Sequence, residues 1–339
     1  MGLTSGRVKP RFAWVGAADR CHRPVTTRCA AARFGRWEPG RRCRVGWAPE
    51  LPAMTMIDKD WTFVLGAQDP EMREIERVVA DDGHTAVHAA KNRRRCNPKT
   101  AYEADSVVRV GPDMIPRPAV LPPKAPAVFV ECTLRGHEPV ARVDHHHPGD
   151  PGYEIGPQDY LRGSSLGQVL ELLEREATDT QRLLAASDHC LTAAYQGACP
   201  GVDPGELLFL RASWRAKVSG RTLSDVIDGI LDAARRVTQH HDSEFGESRF
   251  FDPTELPLDL AEGAAYAGLP VRYRELLPKG VLKEMFKGGT PEAVQAFMDE
   301  HQAAGRPVYG NPYRGYAGTY WPGRSAPGTR HLGGNRNAA

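Results

Sequence analysis

The chain has no CxxC pair, no secretory leader and no apolar run near the roughly 18 residues that a membrane helix needs. Its seven cysteines (21, 29, 43, 96, 132, 190 and 199) are odd in number and irregularly spaced, which argues against a closed disulfide framework. No internal repeat is present, which excludes a repeat architecture. These absences lead us to expect a soluble protein of the reducing cytoplasm with no membrane partner. The 339 residues suffice for two modest domains, and 41% hydrophobic with 25% charged residues is ordinary for a globular chain.

Net charge is small, at +2, but unevenly spread. Residues 1–53 carry 11 Lys and Arg against 3 Asp and Glu, so +8 sits in this arm and −6 in the remainder. The arm has no helical or strand periodicity, and Met54 and Met56 stand just before the first strand pattern. It reads as a disordered extension or an upstream start. Its arginines also suit nucleic-acid phosphates, and an acid-poor leader suits an organelle transit segment. Cys21, Cys29 and Cys43 with His22 lack regular zinc spacing.

From Trp61 the pattern becomes that of an α/β unit. Trp61–Ala67 is an apolar strand. Gln68-Asp69-Pro70-Glu71 opens a helix with Met72, Ile75, Val78 and Val79 on one face. Thr85–Ala89 is a second strand, followed by the basic turn Lys91-Asn92-Arg93-Arg94-Arg95. Residues 111–126 hold six prolines and read as an irregular crossing. Ala127–Cys132 is a continuous apolar strand ending in an acid, Glu131, the pattern of a buried parallel strand, and Pro139–Val143 is a further strand delivering Asp144-His145-His146-His147 at its end. Ser164 and Ser165 cap a helix, and a second helix over 178–197 carries Asp188, His189 and Cys190. Beyond Pro200 the pattern is mostly helical, over 205–218, 221–240 and 291–302, with a loop-like tail from Gly305. The expected fold is a mainly parallel α/β sheet with flanking helices over 56–200, preceded by the basic extension 1–55. A smaller, mostly helical substrate or lid region covers 201–339.

Acids and imidazoles therefore gather at one rim, where α/β sheets bind ligands. Asp69 and Glu71 follow the first strand, Glu131 the central one, Asp144, His145 and His146 the next, and Asp188 lies on a later helix. Carboxylates with imidazoles suit Mn²⁺ or Mg²⁺. His147 and His189 read either as ligands or as orienting groups, and Asp188 either as a ligand or as a partner of Arg182. His84 and His88 flank a strand, and His240-His241-Asp242 sits at a helix end. In the tail, Arg314 among tyrosines suits a phosphate and a base.

Val143-Asp144-His145-His146 and the order of acids around it resemble the DHH phosphoesterase superfamily over residues 58–200. The resemblance implies metal-activated water acting on a nucleotide, short oligonucleotide or related phosphate ester. It implies metal ligation by Asp69, Glu71, Glu131, Asp144 (bridging), His145 and Asp188, with Asp144, His145 and His146 catalytic. Lys287 in Lys287-Gly288-Gly289-Thr290 and Arg314 are the implied substrate contacts. The family's histidine before the first acids is missing from Leu65-Gly66-Ala67-Gln68, and Glu71 and Glu131 stand where Asp is usual. These departures also fit a degenerate nucleotide- or partner-binding protein of the same fold.

Overall fold

The computed structural model describes residues 61–111, 113–121 and 126–321. The basic arm, with its cysteines and His22, lies outside the described residues.

The chain opens with β1 (Thr62–Leu65), α1 (Pro70–Asp81), β2 (Thr85–Lys91), β3 (Arg94–Arg95), β4 (Ser106–Val110), β5 (Pro116–Ala119), β6 (Ala127–Val130) and β7 (Ala141–Val143). The sheet order is β5-β4-β2-β1-β6-β7, with β3 paired to β2. The strands β2, β1, β6 and β7 run parallel, and β4 and β5 extend the sheet antiparallel. From β1 the chain crosses through α1 to β2 on one side, while β6 lies on the other. The order therefore reverses around β1, which opens a crevice at the strands' C-terminal ends. The expected mainly parallel sheet holds for its centre. The proline-rich crossing is in part an edge strand, β5, where missing N–H groups are tolerated.

Alternation along the strands makes two cores. Phe63, Leu65, Val128 and Val130 pack on one face against α1 and the helices that follow: α2 (Tyr160–Gly163), α3 (Ser165–Leu172), α4 (Asp179–His189), α5 (Leu191–Tyr195) and α6 (Pro204–Ser219). Val64, Ala127 and Phe129 pack on the other face with Val87, Val107 and Leu134. The helix expected over 178–197 breaks at Cys190, between α4 and α5.

The C-terminal half departs from the mostly helical expectation. After α7 (Leu223–Gln239) come β8 (His241–Asp242), β9 (Glu247–Phe250), α8 (Leu260–Ala267), β10 (Val271–Leu277), β11 (Val281–Lys287), α9 (Pro291–Ala303), β12 (Val308–Asn311) and β13 (Tyr316–Tyr320). The strands form a second sheet, β12-β13-β11-β10-β9-β8. Val271 and Tyr273 face the core under α7 and α8, while Phe286 and Ala317 meet α9. The tail that reads as loop is a hairpin: Gly310 and Gly318 leave room where a Cβ would meet Ala317 or the Tyr309 hydroxyl. Among the described residues no helix is long and apolar enough to cross a membrane.

Glu262 on α8 joins α8 to α5 and α6. Its carboxylate accepts from the Tyr195 hydroxyl at 2.7 Å and from Arg211 Nε and Nη2 at 2.9 and 2.6 Å. Removing one partner of a buried pair strands the other charge. Glu262→Ala should therefore cost about 3 kcal/mol in urea denaturation, with Glu262→Gln milder. A loss for Glu262→Ala below about 1 kcal/mol would show that α8 docks through its apolar face alone.

Candidate metal centre

Local geometry aims each acid inward. After β1, Gly66 leaves space that a Cβ would contest with the Glu131 carbonyl oxygen at 2.4 Å. Asp69 caps α1 by accepting from Met72 N at 2.7 Å. Glu71, in the first turn, is buried; its Oε1 accepts from Leu166 N at 3.0 Å, while Oε2 has no partner. Glu131 ends β6 with φ of +49°, a left-handed conformation that an L side chain holds only under surrounding constraint. Asp188 lies on the last turn of α4.

Single donor atoms from Glu71, Glu131, His145 and Asp188 lie within 4.8 Å of one another. An overlapping set joins Glu131, His145 and His146. The hydrogen-bond partners fix the histidine tautomers. His189 Nε2 lies 2.8 Å from the Ile155 carbonyl oxygen, which only accepts, so Nε2 carries the proton. His189 Nδ1 is then an acceptor, and His145 Nδ1, 3.2 Å away, must donate to it. Burial and the charge of Arg314 pull the His145 imidazole down to about 4, so at neutral pH it has one proton. Its fully buried Nε2 is therefore a bare lone pair without a hydrogen-bond partner. Yet that lone pair faces Asp188 Oδ2 at 3.1 Å and Glu131 Oε1 at 3.6 Å. An unprotonated nitrogen and an ionised carboxylate oxygen pointed at each other repel, unless a cation sits among these donors. The spacing fits neighbouring ligands on one cation with bonds of about 2.1 Å.

The Asp144 carboxylate is engaged by hydrogen bonds on several sides. Its buried carboxylate accepts from the Tyr102 hydroxyl at 2.9 and 3.1 Å, from His145 N at 2.7 Å, from His146 N at 3.1 Å and from His146 Nδ1 at 2.9 Å. It fixes the loop that aims both imidazoles. Burial pulls His146 down, but Asp144 and the charge of Glu131 outweigh it, and the net shift is upward. Asp144 also stands near His147 and Asp150 in a third, more exposed set. Asp69 lies beside the cluster, where burial and then Asp188 push its carboxyl up to about 6.

Arg314, at the turn of the β12–β13 hairpin, replaces Arg182 as the partner of Asp188. Its Nη2 donates to the Asp188 carbonyl at 2.6 Å and to Oδ2 at 3.0 Å, while Nη1 is buried without a partner. Although burial opposes its ionisation, Asp188 is held well below the usual carboxylate range by this guanidinium. A cavity of about 380 Å³ opens beside this pair, lined also by Lys287, Arg211 and Tyr316. Burial and then Lys283 pull the Lys287 ammonium down.

Three positioning groups have no sequence signal of their own. Tyr102 comes from a 3-10 turn, Ala101–Glu103. Gln168 accepts from Asp144 N at 3.2 Å and donates to its carbonyl at 3.2 Å. Asn311 donates to the His145 carbonyl at 3.0 Å and accepts from Tyr313 N and Arg314 N. The chain matches no protein-family model and no curated protein in sequence.

Burial, opposed by His146 and reinforced by Asp188, Asp69 and Asp144, pushes the Glu131 carboxyl up to about 8. Burial and the same crowding push Glu71 well above its ordinary range. Carboxyls with raised values hold protons near neutrality, and a bound cation needs them ionised. Divalent-cation affinity, probed with Mn²⁺, should therefore fall as pH drops from about 8 to about 6, with about one to two protons released per ion near pH 7 and fewer above pH 9. Calorimetry in two buffers of different ionisation enthalpy measures this, and pH-independent binding without proton release would contradict it. Tyr102→Phe, which removes a donor from Asp144, should weaken Mn²⁺ binding about tenfold. An unchanged dissociation constant would remove Tyr102 from the support of the site.

Proposed function

We propose that the chain is a divalent-cation-dependent phosphoesterase, a divergent relative of the DHH superfamily, acting on a nucleotide, short oligonucleotide or related phosphate ester. The observation that carries this reading is the bare His145 Nε2 facing Asp188 and Glu131. Glu71, Glu131, His145 and Asp188 would hold the cation, with His146 at its edge. Oxygen-rich donors with one or two imidazoles favour Mn²⁺, with Mg²⁺ as the alternative. The cation would supply positive charge against the phosphoryl oxygens and lower the pKa of attacking water.

The chain's own residues supply the rest. The unpartnered Arg314 Nη1 and the Lys287 ammonium are suited to anionic phosphate oxygens. His146, held at Nδ1 by Asp144, stands with Glu131 and His145 and suits proton transfer to the leaving oxygen. A second reading, ligand binding without turnover, is favoured by the missing histidine before Asp69 and by the use of the Asp69 carboxylate as a helix cap.

With Mn²⁺ restored after chelation, hydrolysis of bis(p-nitrophenyl) phosphate or a nucleotide should appear. Glu131→Gln and Asp188→Asn should each lower kcat by about a hundredfold or more while circular dichroism stays native. Lys287→Met should mainly raise KM, by about tenfold. Full activity in Glu131→Gln would remove the cluster from the mechanism. Saturable nucleotide binding with no turnover under any divalent cation would instead select the second reading.

A further inference from the structure

Cys190 and Cys199 stand apart from the other described cysteines. Cys96 and Cys132 each give their thiol to a backbone carbonyl, of Thr100 and Val64, both at 3.3 Å. Cys190 and Cys199 face each other, sulfur to sulfur at 3.1 Å, each the other's hydrogen-bond partner. Cys199 is buried, while Cys190 is partly exposed. Cys190 sits at the break between α4 and α5, and Gly197 with φ of +71° turns the chain back so that the two sulfurs meet.

We infer that Cys190 and Cys199 are a redox-modification site whose disulfide loosens the grip of Asp188 on the cation. This regulatory effect rests on the proposed cation site, whereas the disulfide itself does not. With a peroxide as oxidant, the Cys190 sulfur attacks one peroxide oxygen. The O–O bond breaks, giving a sulfenic acid and one water. The Cys199 sulfur then attacks the Cys190 sulfur, the S–O bond breaks, and a second water leaves with the thiol proton. Two thiols are oxidised to one disulfide, and one peroxide is reduced to two waters.

The consequence follows from the neighbours. A disulfide needs its sulfurs at about 2.05 Å, so the pair must close by about 1 Å. Cys190 directly follows Asp188 and His189 on the last turn of α4. His189 cannot shift freely, because its ring packs on Gly163, where even a Cβ would lie 2.3 Å from Nε2. With His189 blocked, the pull passes to Asp188 against its two bonds from Arg314 Nη2, and its 3.1 Å spacing from His145 Nε2 already suits one cation. Movement of that order opens the site.

The full-length protein, treated with hydrogen peroxide or with dithiothreitol, decides the matter. Non-reducing peptide mapping should show a 190–199 cross-link two hydrogen masses lighter than the free thiols, reversed by dithiothreitol. Mn²⁺ affinity should fall about tenfold on oxidation of the wild type, and stay constant in Cys199→Ser and Cys190→Ser. Free thiols at both positions after peroxide, or unchanged Mn²⁺ affinity in the cross-linked protein, overturn the proposal. Should the reduced protein itself bind no Mn²⁺, the proposed function fails, and the cross-link is judged on the peptide map alone.

Discussion

Carboxylates crowded into a low-dielectric space cannot all remain ionised without compensating charge. That constraint governs the crevice at the ends of β1, β6 and β7. Glu71, Glu131, Asp144 and Asp188 converge there with Asp69 at the edge, against the guanidinium of Arg314. The chain resolves part of the conflict internally. Tyr102 and three nitrogens from the histidine loop satisfy Asp144, and Arg314 satisfies Asp188. Glu71 and Glu131 are left raised, so that each favours its protonated, neutral form.

The same constraint ties the two sheets together. Arg314 reaches Asp188 from the β12–β13 turn, and Asn311 beside it holds the carbonyl of His145. Asn311 is itself fixed by accepting from the backbone of Tyr313 and Arg314. The hairpin turn is therefore shaped by one side chain that also touches the histidine loop. Such shared groups couple the second sheet to the first.

The first sheet and most of the acidic residues could be read from the chain because both signals are local. An acid directly after an apolar strand, as with Glu131, marks a rim position by period and order alone. The second sheet was hidden by charge. In β10, Arg272 and Arg274 alternate with Val271 and Tyr273, but their partner Glu284 lies on β11, so the strand looks merely polar. Gly310 and Gly318 give the hairpin a loop composition although each marks a close approach. The part played by Asp144 was equally out of reach. Tyr102, which occupies its carboxylate, lies 42 residues earlier in a turn with no periodic pattern.

Of the three adjacent histidines, the central role falls to His145, and the reason lies in the proton chain behind it. The Ile155 carbonyl sets His189, His189 sets His145, and the lone pair is delivered forward. A glutamine at 189 could still reach the carbonyl but would not present an imidazole nitrogen, and a residue larger than glycine at 163 would displace the ring. His146 takes its orientation from Asp144, and exposed His147 lies edge-on to Tyr102 at 4.5 Å. The three side chains are alike in chemistry and distinct in what holds them. Their division of labour is decided by the partners that fix their tautomers.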